Sequence, residues 1–161
     1  MAIFDSSFLS YAVLVAAAAV LFSAALTDLR QFVIPNKLIV ILILLFFAHN
    51  AISGSWSELP WHLAFALLAF CLFAWFYGLG WMGGGDIKLL TVALLWTGIH
   101  CALLFAVLLL ACTSLYTVAA KLGWAAAQRD GTDKRMRIAF APSVAAALVG
   151  VFMLGCLQPS A

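Results

Sequence analysis

The chain has 161 residues, of which 67% are hydrophobic and 9% charged, with a formal net charge of +2 and a mean hydropathy of +1.17. Such values lie far outside soluble usage and exclude a soluble globular protein; the chain reads as an all-α polytopic membrane protein forming a single membrane-embedded domain over residues 1–161. Eight Lys and Arg without a long basic stripe give no footprint for nucleic acid.

The first apolar stretch, "FLSYAVLVAAAAVLFSAAL" at residues 8–26, has no charge in its 19 residues and is long enough to cross a bilayer. A secretory signal peptide is the competing reading, but no basic segment precedes the run and it is too long. "SAALTDLRQFVIPNK" follows, carrying Asp28. Pro35 then starts a second stretch that stays apolar from Leu38 to Ala48, since a proline in the first helical turn gives up a donor that would be unsatisfied there anyway. A third stretch, residues 60–77, repeats that proline start at Pro60 after "NAISGSWSEL".

Residues 89–120 form a hydrophobic region of 32 residues, too long for one ordinary span and short for two. A turn at "LWTGIHC", around Gly98 and His100, divides it into a short helix over residues 87–97 and a longer one over residues 99–120. A polar segment, residues 121–137, precedes a last apolar run at residues 138–157. The expectation is therefore six transmembrane helices with a short fourth. Alternating directions place Arg30, Lys37, Lys88, Lys121, Arg129, Lys134, Arg135 and Arg137 on one side and Asp5 and Glu58 on the other. By the positive-inside pattern both termini then lie on the non-cytoplasmic side.

On that topology Asp28, after the first span, and Asp86, before the fourth, share the cytoplasmic side. A carboxylate near membrane depth is costly unless paired, so each calls for a partner or a function. Taken singly, Asp28 could pair with Arg30 or Lys88, and Asp86 could simply cap the helix that begins "IKLLTVALL". Taken together, two acids at one membrane edge beside Gly83, Gly84 and Gly85 are more specific. Three glycines permit positive φ and close approach of another chain. No "GK[ST]" ending or preceding strand makes "GGGD" a phosphate loop.

Two carboxyl groups close enough to share a proton titrate as a pair, one charged while the other is protonated. The charged member takes a proton from a trapped water that attacks a peptide carbonyl; the protonated one donates to the carbonyl oxygen, and a proton later reaches the leaving amine.

Asp28 followed by "IPN" at residues 34–36, and Gly83, Gly85, Asp86 and Lys88 in a Gly-any-Gly-Asp-any-Lys element, together resemble the type IV prepilin peptidases, GxGD membrane aspartic proteases. The resemblance covers nearly the whole chain. It implies that Asp28 and Asp86 are the catalytic pair, with Pro35, Asn36, Gly83, Gly84, Gly85, Lys88 and Pro142 supporting the site and no metal or cofactor. It implies prepilin substrates, with a basic leader and a hydrophobic helix, cut on the cytoplasmic side of the bacterial inner membrane, with lipids and pilus assembly machinery as further partners. A third family element, usually similar to "IPYGPA", is "IAFAPSVA" here, with Ala139 and Ala141 in place of Pro and Gly. Nothing resembles the paired CxxC region of larger relatives associated with N-methylation. The chain looks like the compact form of tight-adherence or Flp-type systems.

The remaining features have plainer readings. Cys71, Cys101, Cys112 and Cys156 show no paired spacing and read as small buried hydrophobes. His49, His62 and His100 read as helix-end polar residues rather than a metal site. Trp56, Trp61, Trp81, Trp96 and Trp124 read as interface anchors. The segment "KLGWAAAQRDGTDKRMR" reads as a solvated loop and topology signal. The alternatives to a peptidase are a proton-coupled transporter using the same acids as a relay, and a non-catalytic membrane scaffold.

Overall fold

A computed structural model describes residues 2–122, 127–129 and 136–156. In chain order it contains α1 (Ala2–Gln31), α2 (Asn36–Ser53), α3 (Leu59–Gly78), α4 (Gly84–Lys121), the short strands β1 (Ala127–Arg129) and β2 (Met136–Ile138), and α5 (Ala141–Met153). The strands pair antiparallel, with Gln128 opposite Arg137, which adds a small ribbon to an otherwise helical architecture. The expected side-chain placements of Asp5, Trp124, Arg129, Asp130, Asp133, Lys134, Arg135 and Arg137 lie outside what is described.

Four helices, α1 to α4, are long and apolar enough to cross a membrane, and α5 is a shorter apolar helix of 13 residues. The expected six transmembrane helices with a short fourth are met only in part: residues 84–121 form one helical element of 38 residues, interrupted at Gly98, and the last helix is brief. The expected turn at Gly98 is nevertheless present, since Gly98 adopts φ 56°, ψ −171° and interrupts α4. The first half of α4 meets Ile34 through Gly85 and Leu42 through Trp96, whereas the second half meets Cys156 through Cys101 and Gly150 through Leu108 and so runs antiparallel to α5, whose first residue, Ala141, meets Asp28; the chain therefore folds back at Gly98.

Side-chain contacts give the direction of each neighbour. Ser10 meets His49 at 3.1 Å, setting α1 antiparallel to α2. Asn36 meets Lys88 and Leu42 meets Trp96, so α2 runs alongside the first half of α4. His62 lies against Gly98 and Tyr77 against Gly84, which sets α3 antiparallel to that half. All these registers place Asp28, Asn36, Tyr77 and Asp86 at one end of the bundle. His49, His62, Trp96 and Gly98 lie at the other.

The interior is built on Leu21, Leu42, Phe46, Leu89, Trp96, Phe105, Val144 and Leu148, while α3 turns Leu67, Leu68, Leu72 and Trp75 outward. Large apolar side chains on the outside are what a lipid-facing surface requires. In that setting, packing and hydrogen bonding rather than water exclusion hold the helices together.

Trp96 is a correction to the interface assignment. It is 1% exposed, and its Nε1–H donates to the Leu42 carbonyl at 3.2 Å, because a buried indole must find an acceptor. Trp56, Trp61 and Trp81 are exposed as expected. The cysteines need correcting too. Cys101 and Cys156 form a disulfide at the end away from the acids, and Cys71 is exposed. Packing of α4 on α5 brings together two cysteines 55 residues apart, a pairing with no spacing signal in the sequence.

Candidate active site

Asp28 sits one turn before the end of α1, 5% exposed. Its partner is not Arg30, which is exposed, nor Lys88, whose Nζ donates to Asn36 Oδ1 at 2.9 Å. Asp28 Oδ2 instead accepts the main-chain N–H of Ala141 at 2.9 Å. Ala141 is the first residue of α5, and a helix's first N–H groups have no acceptor within the helix. Phe140, which precedes α5, provides no side-chain cap, so Asp28 caps α5 from another helix. A carboxylate there also meets the positive end of the helix dipole, which stabilises it by about 0.3–1 kcal/mol, and more when partly buried.

The main chain holds Asp28 as well. Its carbonyl accepts the N–H of Phe32 at 2.9 Å, and Phe32 ends α1 with φ 51°, the left-handed cap usually given to glycine. Pro35 follows with ψ 131° as the residue before α2, rather than inside its first turn as the sequence suggests.

Asp86 is not the cap of α4. Gly83 is, in an extended conformation, and Asp86 occupies the first turn with its carboxylate folded back to the Gly83 N–H. That is one half of a capping box. The fold-back explains Gly83 more closely than backbone freedom does, because a Cβ there would stand 3.0 Å from Asp86 Oδ2. None of Gly83, Gly84 and Gly85 has a positive φ, so that expectation is not met. A Cβ on Gly85 would lie 3.4 Å from Ile34 and one on Gly84 3.5 Å from the Tyr77 ring, ordinary contacts within the chain itself.

The two motifs thus touch directly. Ile34 packs on Gly85 and Asn36 accepts from Lys88, which brings the segments carrying Asp28 and Asp86 together. Pro142 sits in the first turn of α5, beside the amide that holds Asp28. Sequence reasoning missed Ala141, because any residue except proline offers a main-chain N–H and only the fold shows which one is used. It also missed Tyr77, an exposed tyrosine with no motif around it.

A family model described as the type IV leader peptidase family matches residues 15–157. The chain belongs to that family. No curated protein and no solved structure matches. As a type IV leader peptidase relative, the chain is a protease and a multi-pass membrane protein. Membership favours the protease over the transporter and the scaffold. The matched region contains Asp28, Pro35, Gly83, Gly84, Gly85, Asp86 and Pro142.

Proposed function

We propose that this leader peptidase is an aspartic endopeptidase that removes the cytoplasmic leader of Flp-like prepilins, with Asp28 and Asp86 as its catalytic pair. The observation that carries the reading is the convergence of the two acids at one end of the bundle, each already tied to a main-chain N–H. Anchored carboxylates lose little freedom on binding a water and a peptide, and such preorganisation is what general acid–base catalysis requires. One carboxylate draws the proton from water as it attacks the scissile carbonyl, the other protonates the carbonyl oxygen, and their roles reverse as the amine departs.

Sidedness follows from charge and cysteine chemistry. The described basic residues Arg30, Lys37, Lys88 and Lys121 all belong to helix ends on the acid side, which supports a cytoplasmic active site in the bacterial inner membrane. The Cys101–Cys156 disulfide lies at the other end, where an oxidising compartment would preserve it. With the fold-back at Gly98 and a short α5, the chain would cross six times and leave both termini outside the cytoplasm. A prepilin whose leader is cytoplasmic and whose helix is in the membrane presents its scissile bond at the level of the acids. Pro35, Asn36, Gly83, Gly84, Gly85, Lys88 and Pro142 would shape and brace the site. Lipids and the pilus assembly machinery would be its neighbours.

The test is cleavage of a prepilin segment by the purified protein in liposomes. A single cut between leader and hydrophobic helix is expected for the wild type. Asp28→Asn and Asp86→Asn should insert normally and fail to cut. Wild-type protein that leaves the segment intact, with a confirmed fold, would reject the reading.

A further inference from the structure

Helix α3 has two faces of different character. Leu67, Leu68, Leu72 and Trp75 point outward, whereas His62, Ala66, Ala69, Phe73 and Tyr77 recur at helical spacing along the stripe that meets α4 at Gly98 and Gly84. Ala66 and Ala69 are buried, His62 and Phe73 half-buried. Tyr77 ends this inward stripe and yet is 58% exposed. The cause lies opposite: its ring rests on Gly84, and Gly83, Gly84 and Gly85 have no side chains to cover it. An aromatic that merely anchors the membrane interface belongs on the outward face, where Trp75 is.

The ring is held beside the acid. Its edge lies 3.5 Å from where a Cβ on Gly84 would stand, and Asp86 Oδ2 lies 3.0 Å from where one on Gly83 would. Ring and carboxylate therefore flank the same two glycines, whose Cα atoms are about 3.8 Å apart. A few residues of extended peptide, at about 3.3 Å each, reach from one to the other. The turn between α3 and α4 is pinned, with Phe76 stacked on Trp81 at 5.8 Å and 9°, the Trp81 N–H donating to the Phe76 carbonyl at 3.0 Å, and the Gly80 N–H donating to the Tyr77 carbonyl at 2.8 Å. The Tyr77 phenol itself has no hydrogen-bond partner among the described residues.

We propose that Tyr77 is a substrate-binding residue, its phenol O–H donating to a main-chain carbonyl of the extended peptide close to the scissile bond. In a helix every carbonyl is taken by the chain's own N–H groups, so a peptide must be unwound where it is cut. Unwinding frees carbonyls, and at a membrane edge, where water is scarce, an unpaired carbonyl is costly. A hydroxyl on a pinned aromatic ring above bare glycine supplies a donor at the place where that cost arises. Main-chain recognition of this kind carries no side-chain preference.

This subsite rests on the peptidase reading, so its test has one arm that reads kinetics and one that needs no cleavage. Tyr77→Phe keeps the ring and removes the hydroxyl. It should raise KM for the prepilin segment about 3- to 10-fold, the scale of one neutral hydrogen bond, and leave kcat within about twofold, because such a contact is made equally before and during reaction. Trp75→Phe, on the outward face, should change neither. An unchanged KM in Tyr77→Phe, a loss confined to kcat, or equal effects from the two variants would each overturn the proposal. The second arm uses Asp86→Asn protein with Cys71→Ala and Cys112→Ala. Tyr77→Cys in that background should be alkylated more slowly once the segment is bound, as judged by its co-purification. Leu79→Cys, about 200° around the helix, should react at one rate throughout. Bound segment that leaves Tyr77→Cys unprotected would overturn the placement. If the wild type fails to cut while Tyr77→Cys is protected, the peptidase reading falls and the peptide subsite stands.

Discussion

Gly83 is the residue at which side-chain size meets the chemistry most directly. A methyl group there would press on Asp86 Oδ2 at 3.0 Å, whereas one on Gly84 would meet the Tyr77 ring at an ordinary 3.5 Å. Gly83→Ala should therefore push the Asp86 carboxylate from its place and lower cleavage by roughly 100-fold, the scale of a displacement of about 1 Å at a reacting group. Gly84→Ala should remain near wild type. Initial rates for the two variants, beside their thermal unfolding, check the contrast; equal losses would show that the glycines serve the backbone instead. Asp28, Asp86 and the glycines were legible in the sequence because acids and glycines are rare and costly at a membrane edge. Ala141 was not, because its contribution is an amide common to almost every residue. Trp96 was misread because a tryptophan near a helix end fits both an interface and a buried indole with an acceptor.

Helix α4 shows how an interruption positions a site. Breaking the helix at Gly98 releases carbonyls of the preceding turn, and His62 Nδ1 lies 2.8 Å from one of them, that of Leu95. The His62 ring also fills the space where a Gly98 side chain would stand, with a Cβ meeting its Cε1 at 2.6 Å. Gly98→Ala thus faces a left-handed backbone cost of about 1–2 kcal/mol and an overpacking cost of about 1–3 kcal/mol. Thermal unfolding in detergent should register the sum, and adding His62→Ala should recover the overpacking part alone. No recovery in the double variant would place the strain elsewhere. The turn was legible because a 32-residue apolar run is an awkward length for the membrane and contains Gly98. The brevity of α5 was not, because residues 138–157 are apolar enough for a full span, yet the helix ends at Met153.

In the whole molecule, the two ends of the bundle are held differently. At the acid end, hydrogen bonds link α1 to α5 and α2 to α4. At the other end, the Cys101–Cys156 disulfide, the Ser10–His49 contact and buried Trp96 tie the helices together. Cys101→Ser with Cys156→Ser should lower stability by about 2–4 kcal/mol, the usual range for a disulfide closing a long loop. Alkylation of unreduced, detergent-unfolded protein should label Cys71 and Cys112 alone. Labelling of all four cysteines would remove the disulfide from the account.

The acids themselves provide the decisive measurement, a double-mutant cycle on leader cleavage. Groups that act as a unit lose as much when one is removed as when both are. Asp28→Asn, Asp86→Asn and the double variant should all fall to the same residual rate, with each protein folded. Multiplying losses, or one single variant that cuts at nearly the wild-type rate, would contradict a shared catalytic pair.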